Sequence, residues 1–407
     1  MRVLIVVTPV SSRLLSLIPL AWALVGAGHD VLCAGEPATV EAARTAGLPT
    51  VDVALAPAVP SEALVRRPAA ALPATALGEP DWEALAARWQ VRVGRVIDGY
   101  LRFAREWRPD LVLSDPAEFC GAIVAGVLGV PCAVYRWGTD VLTTLARVPA
   151  RAALRSLCER VGAPDGLLPD PDLLLDPCPP ALRHPRAAPA RPVRFVPYSG
   201  PGPFPAWAHD APPGRRTVCV AFGAGAVERA GVGTLAATAR ALGALEGVRG
   251  VIVVAAAHAR ELGRVPRNVR LVRPGPLSLA LGGCATLVHH GGAGTGLSAL
   301  AFGLPQLVLA PPLPGLGVYA ERISSCGAGR SLDPEGQRDP RAIEDALRTL
   351  LDDPSYAAAA RLAREEMAAM PLPVHVVPEL EELAASRPGA GPGGPPDRRA
   401  APAGRGP

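Results

Sequence analysis

The segment Leu287-Val-His-His-Gly-Gly-Ala-Gly-Thr-Gly-Leu-Ser-Ala-Leu-Ala-Phe-Gly-Leu-Pro-Gln306 places two histidines and a run of glycines between an apolar stretch and a helix-like pattern. A strand ending at His289 and a helix starting near Thr295 would aim the backbone N–H groups of Gly292, Ala293, Gly294 and Thr295 into one space. Bare glycine backbone lets a ligand approach closely, and unpaired amides with the helix dipole favour an anion. A phosphate fits this best, with His290 donating to a phosphate oxygen and Thr295 adding its hydroxyl. No lysine stands in the loop to neutralise a transferring γ-phosphate, and no acidic pair stands nearby for a metal, which argues against a nucleoside triphosphatase. The phosphate then belongs to a leaving group. A structural glycine loop around buried histidines is the competing reading, and HHGGAGT directly after a strand is much more specific than a lone glycine pair.

The elements that position this loop recur along the chain. Val3 to Val7 is a continuous apolar run suited to a strand buried on both faces, and Leu15 to Gly26 reads as the following helix. Gly28-His29 turns into a strand over Val31 to Ala34, and the pattern repeats with strand Asp110 to Ser114, helix Ala117 to Leu128 and strand Cys132 to Tyr135. Residues 54–80 read as a long surface loop before a helix over Trp82 to Trp107. The proline-rich region 163–215 reads as irregular. The pattern restarts with strand Thr217 to Phe222, a glycine loop at Gly223, helix Gly233 to Leu245 and strand Gly250 to Ala255. Strands over Leu271-Val272, Thr286 to His289 and Leu307 to Leu309 follow, then three helices ending near Ala384. Two doubly wound α/β domains are expected, with ligands in the cleft at the strands' carboxyl ends. We place an N-terminal domain at 1–200, a linker at 201–215, a second domain at 216–386 and a disordered tail of Gly, Pro, Ala and Arg at 387–407.

Composition narrows the function further. At 407 residues the chain is too long for one ordinary core. Its net charge of +4 is carried on scattered arginines, with no lysine and sparse aromatic residues, so nucleic acid is not an expected partner. The eight cysteines form no CxxC pair and no metal spacing, and read as small buried hydrophobes of a reducing cytosol. The apolar N-terminal segments are broken by Ser11-Ser12-Arg13 and Pro19 and are each too short to span a bilayer, so a cytoplasmic protein without membrane attachment is expected.

Several separated motifs together resemble the GT-B glycosyltransferases, particularly the bacterial antibiotic enzymes that move deoxysugars from nucleoside diphosphates onto aglycones. The likeness runs from Pro19-Leu-Ala-Trp-Ala-Leu24 and Ala27-Gly-His29 through Trp137-Gly-Thr-Asp140 and Val288-His-His-Gly-Gly-Ala-Gly-Thr295 to Glu365-Glu-Met-Ala-Ala-Met-Pro371 and Val377-Pro-Glu-Leu380. It implies two facing Rossmann-like domains and a final helix that crosses back onto the first. By the resemblance, the C-terminal half binds a dTDP-type donor. His290 and Gly292 to Thr295 would hold its diphosphate, with the loops around Gly223 and Val272 to Leu277 beside the base and pyrophosphate. It also implies an inverting transfer with no metal or other cofactor, an aromatic or polyketide-like acceptor on the N-terminal domain, and room for an activator protein or a homodimer. Amides and His290 would stabilise the departing diphosphate as an oxyanion hole does.

Two places depart from the pattern. In similar enzymes a histidine on the loop after the first strand deprotonates the acceptor; counting back from Pro19 puts Arg13 there, and arginine stays protonated at neutral pH. Asp140, after the strand Cys132 to Tyr135, is the replacement carboxylate, by likeness to C-glycosylating relatives, although its position also suits a helix N-cap. Arg13 would then hold an anionic acceptor such as a phenolate or carboxylate. In Leu309 to Val318, Pro314 and Gly315 approximately occupy the places of the polar residues that bind sugar hydroxyls, which a dideoxysugar would tolerate best. O- and C-transfer both remain open, and a non-catalytic relative that binds a partner or ligand is the second reading.

Overall fold

The computed structural model describes residues 1–53, 81–139, 142–209, 214–311 and 316–386. The surface loop expected at 54–80, Asp140, Pro314, Gly315 and the tail 387–407 lie outside the described residues. Within the first half, the strands β1 (Arg2–Val6), β2 (Asp30–Gly35), β3 (Thr50–Asp52), β4 (Leu111–Ser114), β5 (Cys132–Tyr135), β6 (Leu173–Asp176) and β7 (Arg191–Pro192) form one sheet in the order β3-β2-β1-β4-β5-β6-β7. Every pairing is parallel, with Ile5 of β1 flanked by Cys33 and Leu113. The apolar run is explained by burial on both faces. Leu4 and Val6 join Val112 and Val134 in one core cluster, while Val3 and Ile5 join Leu111 and Leu113 in another.

The second half repeats this architecture. Strands β8 (Arg216–Ala221), β9 (Val248–Val253), β10 (Val269–Val272), β11 (Thr286–His289), β12 (Gln306–Val308) and β13 (Gly329–Ser331) give a parallel sheet ordered β10-β9-β8-β11-β12-β13. In each sheet the order reverses between two adjacent strands, β1 and β4 in the first and β8 and β11 in the second. A crevice opens at such a reversal because the loops after the two strands run to opposite sides. Asp115, Gly223 and His290 lie in the loops that follow β4, β8 and β11, and Arg13 lies in the first turn of the helix that follows β1.

The region 163–215 is less irregular than its prolines imply. It contributes β6 and β7, and Pro192 is accommodated because β7 is the edge strand of its sheet, where a missing N–H leaves no partner unpaired. The helix after β1 spans Ser11–Gly26, one turn earlier than its apolar spacing predicts, since its buried face begins only at Leu14. In the segment read as the linker, Ala206–His209 is a short helix. Trp207 is buried, and its carbonyl accepts from Arg249 Nη2 at 3.0 Å, fastening this stretch to the second half. Ser278 N also donates to Ser199 Oγ at 3.1 Å.

The two halves interlock rather than meeting end to end. Cys178, Leu182 and Phe195 pack in one cluster with Leu297, Leu300, Tyr319 and Met367 from the second half. In the opposite direction the final helix, Pro373–Ala385, crosses back and lays Val376, Val377 and Leu380 into the cluster that contains Val3, Leu17 and Leu24. It lies against the Ser11–Gly26 helix. Arg191 Nε donates to Glu379 Oε2 at 2.8 Å, and His29 Nε2 lies 2.9 Å from Glu381 Oε1, which gives His29 a place in this seam. Among the described residues no helix is long and apolar enough to cross a membrane.

Candidate active site

The glycine loop after β11 is held from below by His289. This side chain is fully buried, its Nε2 lies 2.9 Å from Gln306 Oε1, and its Nδ1 accepts from Gly291 N at 3.2 Å. Burial, assisted by neighbouring His290, lowers its pKa to about 3, so the ring is neutral and Nε2 donates to Gln306. Gln306 also accepts from Tyr319 Oη at 2.9 Å and donates through Nε2 to Gly296 O at 3.1 Å. A Cβ on Gly296 would lie 2.1 Å from Tyr319 Cζ, so the tyrosine occupies the space that only glycine leaves. His289 is thus a packing residue that fixes the loop.

Above it, the helix begins at Ala293, two residues earlier than expected, with Gly292 as its N-cap. The first intrahelical bond runs from Gly296 N to Gly292 O at 3.0 Å, so the amides of Ala293, Gly294 and Thr295 precede the helical ladder and point past its start. His290 stands over this end. Its Nδ1 accepts from Gly223 N at 3.2 Å, which places the proton of the neutral ring on Nε2. A Cβ on Gly292 would lie 2.6 Å from that Nε2, and one on Gly223 would lie 3.1 Å from Cε1. Gly223, Gly292 and His290 therefore form one contact group, in which a helix N-terminus, its leading amides and an imidazole N–H come together, an arrangement suited to an anion.

Val272 and Leu277 stand apart from this group. Val272 ends β10, and Leu277 opens a short 3-10 turn, Leu277–Leu279, at the far side of the same sheet edge. Leu277 adjoins Ser278, whose N–H donates to Ser199 Oγ at 3.1 Å, and β10 lies three strands from β11, which ends at His289.

On the opposite side of the cleft, Arg13 lies in the first turn of the Ser11–Gly26 helix, with its Cζ 3.3 Å from the centroid of the Trp137 ring. Gly138 next to it has φ +131°, and a Cβ there would meet Ala293 Cβ at 3.1 Å. The loop after β5 thus approaches the first residue of the Ala293–Ala301 helix. This loop is anchored by fully buried Arg136, which donates to Thr143 Oγ1 at 3.1 Å, Asp176 Oδ2 at 3.2 Å and Ala188 O at 2.8 Å.

Sequence reasoning missed Asp115, the first residue after β4. It is buried, accepts from Thr8 N at 2.6 Å, Thr8 Oγ1 at 2.9 Å and Ala117 N at 2.9 Å, and feels the charge of Arg13. Burial and nearby Glu118 push its pKa up to about 6, outweighing those donors. It lines a small cavity with Glu118, Phe119, Thr143 and Arg147. The signal available in the sequence was an acidic residue at the carboxyl end of a buried strand, Leu111-Val-Leu-Ser-Asp115. Among the described residues no group of three or more His, Cys, Asp or Glu side chains is placed to hold a metal ion.

Two facing parallel sheets with a cleft between their carboxyl ends and a returning C-terminal helix define a glycosyltransferase of the GT-B class. Residues 22–223 match the N-terminal domain and residues 239–383 the C-terminal domain of the erythromycin biosynthesis protein CIII-like family, to which this chain belongs. It is 34% identical to the 10-deoxymethynolide desosaminyltransferase of Streptomyces venezuelae over 95% of this chain and 97% of that protein. Identity to the TDP-daunosamine transferase DnrS of Streptomyces peucetius is also 34%, with 95% and 97% covered. Among solved structures, the spinosyn rhamnosyltransferase SpnG superposes with a TM-score of 0.84 at 35% identity, covering 94% of this chain and 100% of that one.

Proposed function

We propose that this glycosyltransferase moves a deoxysugar from a dTDP-type donor to an aromatic or polyketide-like acceptor, with inversion and without a resident metal or cofactor. The relatives support the substrate classes: they are transferases of desosamine and daunosamine, and SpnG has been solved both with thymidine diphosphate and with the spinosyn aglycone. The observation that carries the reading is the contact group of Gly223, Gly292 and His290 at the start of the Ala293–Ala301 helix.

In this mechanism the diphosphate rests against the amides of Ala293, Gly294 and Thr295. His290 Nε2–H donates to a phosphate oxygen, and the charge that grows on the leaving group as the glycosidic bond breaks is met by donors already in place. The acceptor lies against the N-terminal half and attacks from the other face of the sugar. Where a ring carbon is the nucleophile, Asp140 takes the proton that the ring must lose. Seven of the eight cysteines are buried, as small apolar side chains are.

Calorimetric titration with dTDP and UDP, comparing wild type with His290→Ala, tests the donor site. We expect dTDP to bind more tightly than UDP and His290→Ala to weaken it by roughly 10- to 100-fold, the worth of one hydrogen bond to a charged group. Absence of dTDP binding by folded wild type would overturn the reading.

A further inference from the structure

Resting on that reading, we propose that Thr8 and Asp115 form a proton relay for hydroxyl acceptors, in which the Thr8 hydroxyl touches the acceptor and passes its own proton back to the Asp115 carboxylate. The pair stands where the order of the first sheet reverses: Thr8 lies two residues past β1 and Asp115 directly follows β4. Ser114 Oγ donates to Val6 O at 2.8 Å, which pins the ends of these two strands together beside the pair. Thr8 Oγ1 donates to Asp115 Oδ1 at 2.9 Å and Thr8 N donates to Asp115 Oδ2 at 2.6 Å, so the two oxygens of one carboxylate fix the direction of the hydroxyl. With its proton on Asp115, Thr8 Oγ1 keeps its lone pairs for an incoming O–H. Asp115 is only 3% exposed, whereas Thr8 is half-buried and close to exposed Val10, so the hydroxyl is the open end of the pair. The Ser11–Gly26 helix that follows Thr8 lies against the Ala293–Ala301 helix, at whose start the leaving group rests. Arg13 stays protonated and takes no proton from an acceptor.

The charged groups facing Asp115 are Glu118 three residues on, Arg13 on the Ser11–Gly26 helix, and Arg147, which lines the same small cavity. Glu118 is ion-paired to Arg92, and Arg147 to Asp170. Burial and the Glu118 charge hold the Asp115 carboxyl at about 6, above the ordinary 3.8, so it is ionised at neutral pH yet basic enough to take a proton. In the step itself the acceptor proton moves to Thr8 Oγ1 as the Thr8 proton moves to Asp115 Oδ1. The lone pair of the acceptor oxygen forms the bond to the anomeric carbon while the bond from that carbon to the diphosphate oxygen breaks, its electrons leaving with the diphosphate. One negative charge is lost from Asp115 and one is gained by the nucleoside diphosphate. Asp115 then returns its proton to solvent by way of the cavity of about 30 Å³ that it lines, which has room for a water.

The test uses the full chain, dTDP-deoxysugar donors, and a panel of phenols and shape-matched alcohols, 4-nitrophenol with 4-nitrobenzyl alcohol among them. On the alcohols, Thr8→Val and Asp115→Asn should each lower kcat by about 100- to 10,000-fold, the span of general-base catalysis, with dTDP affinity unchanged. Thr8→Ser, which keeps the hydroxyl, should stay within about fivefold of wild type. With 4-nitrophenol at mildly alkaline pH, where the acceptor has no proton left to remove, the Thr8→Val loss should shrink below about tenfold. Wild-type kcat/KM for the alcohols should rise with pH through a midpoint of about 6, and that midpoint should vanish in Asp115→Asn. Thr8→Val at wild-type speed, Thr8→Ser as slow as Thr8→Val, or equal losses on alcohol and phenolate would overturn the relay while leaving the transferase reading intact. No transfer to any member of the panel, by folded wild type, would overturn both.

Discussion

Gly223 N donates to His290 Nδ1 across 3.2 Å, joining the loop after β8 to the loop after β11 and leaving Nε2 as the proton-bearing nitrogen. Gly292 must be bare for the same ring to stand where it does, since a Cβ would lie 2.6 Å from Nε2, against 3.1 Å from Cε1 for a Cβ on Gly223. Gly292→Ala therefore displaces the donating atom itself. We expect dTDP affinity to fall about 100-fold in Gly292→Ala and less than tenfold in Gly223→Ala, a difference of somewhat over 1.4 kcal/mol by calorimetry. Equal losses would mean that Nε2 is not the phosphate contact.

Gly296 and Gly294 separate stability from binding on one helix. Alanine at Gly296 collides with Tyr319 and forces apart the tyrosine, Gln306 and His289, so Gly296→Ala should lose about 1–3 kcal/mol in denaturant unfolding. Alanine at Gly294 meets nothing within 4 Å of its Cβ. Gly294→Ala should keep or slightly raise stability, and any defect it shows should be in dTDP binding. A Gly296→Ala protein of unchanged stability would refute the packing argument.

Stability at acid pH has two opposing contributions from the cleft. The unfolded chain protonates His289 below about 6.5, whereas the folded ring resists protonation until about 3, so stability falls with pH across that window. Asp115 works in the other sense: raised from 3.8 to about 6 in the fold, it takes its proton more readily when folded, and stability rises as pH falls from 6 to 3.8. The two nearly cancel between those limits, at about 1.4 kcal/mol per pH unit each. Asp115→Asn removes the compensating half. Its loss of stability between pH 6 and 4 should exceed that of wild type by about 3 kcal/mol, from urea midpoints measured at each pH.

Leu380 lies near the end of the described chain yet is fully buried in the core cluster of the N-terminal half. Leu380→Ala should cost about 2–5 kcal/mol by leaving a cavity there. The loss should appear in the unfolding of the first half, followed by the fluorescence of Trp22, whose ring meets Tyr198 at 4.8 Å in a T-shaped contact. An unfolding signal from Trp22 that does not move would show that the returning helix contributes little to that core.

Local order fixed much of this protein before any fold was considered. The runs Val3 to Val6 and Val218 to Ala221, apolar without alternation, can only be strands covered on both faces, and repeated βα units then require parallel sheets. Glycines beside His290 after such a strand put bare amides at a helix start, because those amides belong to consecutive residues. What lies within one turn or one loop is legible because its geometry is set by neighbours in sequence. Tertiary structure decided the rest. That Arg13 stacks on Trp137, that Asp115 is tied to Thr8, and that Phe195 and Leu380 are buried in the opposite half all depend on contacts across more than a hundred residues. No periodicity records such contacts, since the side chains owe their pairing to which strands become neighbours in each sheet and to the path by which the last helix returns.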